Sequence, residues 1–238
     1  MSDTPPSLLD AELVALLTAR LAAEALSPAD EAIAIRELVR ETRAPAALIV
    51  RLWRELAGAQ RHASGAPPVT LHSARTPVRT LDLARARFGA VGRYQRVEKA
   101  EAALAAAKAP GGLAVIALDP QDAWWLRMLA EPDLKVISAL PDLAGAGPRS
   151  ALAVARAETG PTGGDETYFV TDAPGPARTV INAIQNAGFV ADLIQETHGL
   201  KLLALAGYVQ AEDPRLDAAP GRLKGVIGAS PLPFDLQT

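Results

Sequence analysis

The stretch DAPGPARTVINAIQNAGF, residues 172–189, decides the fold of the C-terminal part of the chain. The segment before it, TYFVT (167–171), predicts a β-strand, and the Pro-Gly-Pro run then marks a turn. Val180, Ile181 and Ile184 recur at helical spacing, and the helix ends at Gly188 because glycine tolerates a positive φ. The pattern therefore predicts a strand, a turn with exposed backbone donors, and an amphipathic helix.

Four further segments complete this C-terminal pattern: a strand at residues 190–197, a strand at 201–209, the phrase EDPRL (212–216) and the phrase RLKGVIGASP (222–231). In this order they resemble the ACT regulatory domain at the C-terminus of prephenate dehydratases, over about residues 165–233. The resemblance implies a ligand-binding turn with a carboxylate on its backbone donors: Pro174, Gly175, Pro176 and Ala177. A generic α+β domain with a Pro-Gly turn is the alternative interpretation.

Composition limits the class of protein. The chain has 238 residues, of which 49% are hydrophobic, so one to three small domains with real cores are expected. A net charge of −3 gives no basic surface for nucleic acid, and the absence of cysteine excludes disulfides and thiolate metal sites. With three histidines, no metal site is expected. The N-terminal segment MSDTPP has no positively charged start followed by an apolar run, so we expect a cytoplasmic protein without membrane contact.

The first sixty residues predict three helices. Ser7 is the expected cap of the first, whose leucines form an apolar stripe, and Ser27 caps the second with Pro28 at its first position. The third is expected over residues 45–62, with these residues on its buried side: Leu48, Ile49, Leu52, Trp53 and Leu56.

The phrases in these helices, over residues 7–64, resemble the all-helical chorismate mutases. That reaction needs no nucleophile; cationic and hydrogen-bonding side chains hold two substrate carboxylates and meet the charge that develops on an ether oxygen. The resemblance implies three catalytic residues: Arg20, Glu31 and Gln60. Other cations of the family are missing, since Asp3 and Asp30 stand where arginines are expected.

The middle of the chain resembles the first α/β lobe of a prephenate dehydratase. Strands are expected at residues 69–72 and 112–118, with helices at 78–89 and 97–104. The segment between this lobe and the ACT-like part is too short to form the second lobe of the family. The Thr-Arg-Phe motif of the family is also absent near Ser150, so dehydratase activity is not expected. The pair Trp124-Trp125 is interpreted either as the floor of a pocket or as part of a core or interface.

The whole chain therefore resembles a shortened bifunctional chorismate mutase–prephenate dehydratase. The predicted fold class is multidomain: a helical chorismate mutase-like domain (1–64), a single dehydratase-like α/β lobe (65–148) and an ACT-like α+β domain (149–238). The implied function is that of a chorismate mutase-family protein of phenylalanine biosynthesis, which converts chorismate to prephenate if it is active. Whether it is catalytically active is left open. The alternative is a catalytically degenerate regulatory or structural protein that binds an aromatic amino acid or a pathway enzyme. No cofactor is expected, and the expected partners are a small aromatic acid or amino acid, a second copy in a homodimer, and another enzyme of the pathway.

Overall fold

Three α-helices open the computed structural model, which describes residues 7–235. They are α1 (Leu8–Ala22), α2 (Pro28–Glu41) and α3 (Ala46–Ala63). The Ser7 side chain accepts a hydrogen bond from the Asp10 amide, and the Asp10 carboxylate accepts one from the Ser7 amide. Ser27 caps α2 in the same position. Both predicted helix starts are confirmed. Within the described range, no helix has the length and apolar character needed to cross a bilayer.

Strands and helices alternate through the rest of the chain. They are β1 (Val69–His72), α4 (Pro77–Phe88), β2 (Tyr94–Arg96), α5 (Ala100–Ala107), β3 (Leu113–Ala117), β4 (Leu134–Leu140), β5 (Ala151–Arg156), β6 (Asp165–Thr171), α6 (Ala177–Asn186), β7 (Ala191–Thr197), β8 (Leu200–Ala206) and β9 (Lys224–Pro231). Two 3₁₀ helices, Trp124–Ala130 and Pro214–Ala218, lie in the connections. The predicted elements at α4, β6, α6, β7 and β8 are confirmed, with ends shifted by up to three residues.

All the strands belong to one mixed sheet in the order β2-β1-β3-β5-β4-β9-β6-β8-β7. β1 is parallel to β2 and β3, whereas β5 is antiparallel to both β3 and β4. At the other end β8 is antiparallel to β6 and β7. The last strand, β9, lies between these two groups, parallel to β4 and antiparallel to β6.

The predicted fold class is therefore wrong. It separated a central α/β lobe from a C-terminal ACT-like domain, but β9 pairs with β6 from Asp165↔Pro231 to Thr171↔Lys224 and with β4 at Val136↔Gly228. The backbone N–H and C=O groups of β9 are paired with those of β4 on one side and β6 on the other, so the two groups of strands form one continuous sheet. The division of the chain at residues 64/65 and 148/149 stays a prediction.

The two faces of the sheet are covered differently. On one face, alternate residues such as Ile116 and Tyr168 pack in a cluster with α5 and the first 3₁₀ helix, whose Trp124 and Trp125 are buried. The tryptophan pair thus belongs to the core, and the Trp124 indole donates to the Ala117 carbonyl at 2.9 Å. On the other face α4 and α6 each cover a cluster, and α2 contacts β9 between them.

Helix α3 faces inward only in part as predicted, since Ile49, Trp53 and Leu56 of the predicted side are half-buried. Its buried positions are Ala46, Val50, Arg54, Gly58 and Gln60, whereas Leu48 and Leu52 are exposed. Gly58 explains this orientation, because a Cβ there would lie 2.4 Å from the Phe88 carbonyl oxygen. The close approach of α3 to the end of α4 requires glycine.

Candidate functional site

A cavity of about 590 Å³ lies between the α1–α2 connection, α3 and the sheet. This volume falls within the range of small-molecule sites, roughly 300–1,000 Å³. Its polar lining includes Arg20, Glu31, Gln60, Arg61, Ser64 and Arg87. Its apolar walls include Leu21, Leu26, Phe88, Leu113 and Ile137. We refer to it as the α1–α3 cavity.

A larger and shallower groove of about 800 Å³ lies near the start of β4 and the end of β5. Carboxylates and cations both line it: Asp133, Glu158 and Glu212, with Lys135 and Arg156. Arg156 lies 3.7 Å from Asp133. Because charges of both signs are distributed along it, this groove favours no one class of ligand, and the smaller α1–α3 cavity is the better candidate.

All three residues predicted as catalytic line the α1–α3 cavity. The Arg20 guanidinium donates from Nη1 to Gln60 Oε1 at 3.2 Å and lies 4.7 Å from the centroid of the Trp53 ring. The Gln60 amide in turn donates to the Ala23 carbonyl. The structure thus places Arg20 and Gln60 in direct contact at one wall of the cavity. That they act on a ligand stays a prediction.

Glu31 is held by a residue that the sequence did not identify. Arg87 donates to both of its oxygens, at 2.6 and 3.4 Å. The Nε of the same arginine lies 3.2 Å from the Asp142 carboxylate, which also accepts from Arg54 at 2.6 Å. Two arginines and two carboxylates therefore form a largely buried network that joins α2, α3 and α4 to the segment after β4.

Burial acts to lower the pKa values of the two arginines in this network, whereas pairing with carboxylates acts to raise them. Burial lowers the pKa of Arg54. Burial also acts to lower the pKa of Arg87, but the carboxylates of Glu31 and Asp142 outweigh it, and the net shift is upward. Arg87 is thus fully charged and compensated. Its pair with Glu31 makes that carboxylate a structural group rather than a free general base.

Arg20 and Arg61 contribute positive charge without a carboxylate partner among residues 7–235. Arg61 donates from Nη2 to the Pro67 carbonyl at 2.8 Å, and burial lowers its pKa. Arg20 has the neutral contacts already described, with Gln60 and Trp53. Since Arg87 and Glu31 compensate each other, the charge that remains at the cavity wall is positive.

The lining groups provide charge and shape rather than a reacting pair. The Ser64 hydroxyl donates to the Arg61 carbonyl at 2.8 Å, and the Glu31 carboxylate is bound to Arg87. In the described part of the chain no group of three or more His, Asp or Glu side chains is placed to hold a metal ion. The two arginines with neutral acceptors, Arg20 and Arg61, suit the binding of an anion.

The predicted ligand-binding turn lies elsewhere. Pro174, Gly175 and Pro176 are exposed between β6 and α6. Gly175 has φ +91, with no atom within 4 Å of the position of a Cβ. The buried Lys201 ammonium braces the turn by donating to the Ala173 carbonyl at 3.0 Å. The turn does not line the α1–α3 cavity. A ligand at Pro174–Ala177 stays a prediction.

Comparisons with known proteins add little to this geometry. No family model matches the chain. No curated protein matches it. A solved structure described as "GqqA- a novel type of quorum quenching acylases" is 14% identical, covers 68% of this chain and 94% of that chain, and superposes with a TM-score of 0.43. A similarity of that size supports no conclusion about activity.

The identification as a shortened chorismate mutase–prephenate dehydratase is wrong. Family models of neither enzyme match the chain, and one continuous sheet stands where the resemblance implied a separate α/β lobe and an ACT-like domain. The alternative, a degenerate protein that binds an aromatic amino acid or a pathway enzyme, has no support in the comparisons either.

Proposed function

We propose that the chain is a small-molecule-binding protein whose α1–α3 cavity takes an aliphatic carboxylate. The observation that carries this proposal is the pair of arginines, Arg20 and Arg61, that line an otherwise largely apolar cavity without a carboxylate partner in the described chain. A half-buried cation without a counter-ion gains from an anionic ligand, because the low local dielectric strengthens the attraction.

The guanidinium groups favour a carboxylate as the anion. Arginine presents a planar fork of donors that matches the two oxygens of a carboxylate, and such bidentate pairs are shorter and stronger than neutral hydrogen bonds. The present acceptors of Arg20 and Arg61 are an amide oxygen and a backbone carbonyl, both neutral. A ligand carboxylate therefore competes well for the same donors.

The walls favour an aliphatic body over an aromatic ring. The cavity has two aromatic side chains, and a guanidinium already lies against each: Arg20 at 4.7 Å from the Trp53 centroid and Arg87 at 5.0 Å from the Phe88 centroid. The surfaces left for a ligand are those of Leu26, Leu113, Ile137 and several alanines. Hydrocarbon buried against them contributes about 25 cal/mol per Å².

Calorimetric titration with octanoate, with its amine counterpart octylamine and with the aromatic acid benzoate tests the proposal. We expect octanoate to bind, octylamine to give no heat of binding because its cation meets Arg20 and Arg61, and benzoate to bind more weakly than octanoate. Equal binding of octanoate and octylamine contradicts the assignment of an anion site, and tighter binding of benzoate contradicts the aliphatic assignment.

Arg61→Gln should weaken octanoate binding about 10- to 100-fold, the value of one charge-assisted hydrogen bond. Arg51→Gln is the matched control, because Arg51 is an exposed arginine of the same helix that does not line the cavity. Calorimetry on the two variants measures the difference. Wild-type affinity in Arg61→Gln, with folding intact by circular dichroism, would place the ligand outside this cavity.

A further inference from the structure

Helix α1 is held to the rest of the chain by few side chains. Of its described side chains none is buried, and only Leu17 and Arg20 are half-buried. In contrast, α2 buries Ala32 and Ile35, and α3 buries five residues. Most of the stability of a helix in a folded protein comes from the packing of its buried face. The free energy that keeps α1 docked is therefore small compared with that of α2 and α3.

The polar contacts between the end of α1 and α3 converge on Gln60. Its Oε1 accepts from Arg20 Nη1 at 3.2 Å, and its Nε2 donates to the carbonyl of Ala23, the C-cap of α1. The Arg20 guanidinium also lies 4.7 Å from the Trp53 centroid. Gln60 thus makes both of the described hydrogen bonds that join the end of α1 to α3.

The connection after α1 permits this helix to move. Residues 23–27 have no regular secondary structure and are all exposed. On the other side of the cavity α3 is fixed, because Gly58 approaches α4 closely and Arg54 is bound to Asp142. The α1–α3 cavity therefore lies between a firmly packed helix and the last turn of α1, which is weakly held.

We infer that α1 is a movable wall of the α1–α3 cavity and that a bound carboxylate holds it in the docked position. This inference rests on the function proposed above, since it assigns the same ligand. Arg20 is carried by α1 and Arg61 by α3, and both line the cavity. Arg20 is bound to Gln60, the residue next to Arg61 along the chain.

A carboxylate between these two arginines couples binding to the position of α1. Its two oxygens can accept from Arg20 and Arg61 together only while α1 is docked. The ligand therefore binds the docked state better than the undocked state, and it shifts the population toward the docked state.

Hydrogen exchange of the free protein, resolved to single amides, tests whether α1 moves. A helix of 15 residues is marginal in water when it is isolated, so undocking exposes all its amides together. We expect the amides of residues 17–22 to exchange as fast as those of residues 12–16, and at least about 10-fold faster than the amides of α2 and α3. Fraying from the N-terminus alone would leave residues 17–22 as protected as α2.

The same measurement with octanoate tests the effect of the carboxylate. At 100 times the dissociation constant measured by calorimetry, a ligand that binds only the docked state lowers the population of the undocked state about 100-fold. We therefore expect the exchange of residues 17–22 to slow by about that factor. Octylamine at the same concentration is the control and should leave their exchange unchanged.

Gln60→Leu should make α1 undock more often. It removes both hydrogen bonds to the end of α1, and the amides of α1 should exchange about 10- to 100-fold faster. Amides of the buried strand β3 report the stability of the whole chain, and their exchange should change less than that of α1. Gln185→Leu is the matched control, because Gln185 is an exposed glutamine of α6 that does not line the cavity.

Three outcomes overturn the inference. Residues 17–22 as protected as α2 in the free protein would make α1 a fixed wall. Exchange that octanoate leaves unchanged, although calorimetry shows that octanoate binds, would show that the ligand does not hold α1, and the carboxylate proposal would still stand. Equal exchange of α1 in Gln60→Leu and Gln185→Leu would contradict the weak docking through Gln60. If octanoate does not bind, the carboxylate proposal fails and the holding of α1 by the ligand fails with it, whereas the free protein still decides whether α1 moves.

Discussion

Gly228→Ala should lower the free energy of unfolding by more than about 4 kcal/mol, a loss confined to a few severe mechanisms in proteins. Gly228 has φ +144, and a Cβ at this position would lie 2.3 Å from both the backbone nitrogen and the carbonyl oxygen of Val136. Those atoms belong to β4, so the clash falls on the strand pairing itself, where no side chain can move aside. Urea denaturation followed by circular dichroism measures the change.

Gly199→Ala is the matched control, because it measures the cost of a side chain at positive φ without a steric clash. Gly199 also has a positive φ, +81, but no atom lies within 4 Å of its Cβ position. We expect it to lose about 1–2 kcal/mol, the strain of a side chain in that conformation alone. A Gly228→Ala protein no less stable than Gly199→Ala would contradict the close pairing of β4 with β9, and with it the continuity of the sheet.

Local elements could be predicted because their signals lie within a few residues of one another. Ser7 and Ser27 cap the helices that follow them, and Gly188, with φ +92, comes two residues after the end of α6. Hydrogen bonds across three or four residues and a single positive φ determine these boundaries. No knowledge of the rest of the chain is required.

The joining of the strands could not be predicted in the same way. Gly228 lies 92 positions after its partner Val136, and nothing in RLKGVIGASP distinguishes a strand that ends a separate domain from one inserted between β4 and β6. The side of α3 that faces inward was predicted only in part, because Leu48 and Leu52 are exposed. Leu48 and Leu52 are the more apolar choice, but Gly58 permits the closer approach, and packing geometry decided the orientation.

The residues of the candidate site also divide into those that the sequence indicated and those that only the fold reveals. Arg20, Glu31 and Gln60 were named from a resemblance that proved wrong, yet all three line one cavity, because the third helix does pack beside the first two. The residues that the sequence missed are Arg61 in the cavity and, in the buried network, Arg54, Arg87 and Asp142. A charged residue in the sequence is usually solvated, and only the fold shows that Arg87 meets Glu31 across 56 positions.

The buried network gives the second large expected effect: Asp142→Leu should cost about 3–5 kcal/mol of the free energy of unfolding. Asp142 accepts from Arg54 at 2.6 Å and lies 3.2 Å from Arg87, so its loss leaves Arg54 charged, buried and without a carboxylate partner among the described residues. Glu31 continues to compensate Arg87. Thermal and urea unfolding of the variant measure the loss.

Removing both members of the pair should cost less than removing the acid alone. In Arg54→Met/Asp142→Leu no uncompensated charge remains, and replacing a buried ion pair by apolar groups of similar size is often close to neutral. We therefore expect the double variant to be more stable than Asp142→Leu by about 2 kcal/mol, a coupling of the size seen for residues within one network.

Asp133→Leu is the control for Asp142→Leu, because Asp133 and its partner Arg156 are both exposed, and it should change the free energy of unfolding by less than about 0.5 kcal/mol. If Asp142→Leu and Asp133→Leu proved equally mild, the network would not hold α2, α3 and α4 to the sheet, and the wall of the α1–α3 cavity that contains Glu31 and Arg87 would have to be supported by packing alone.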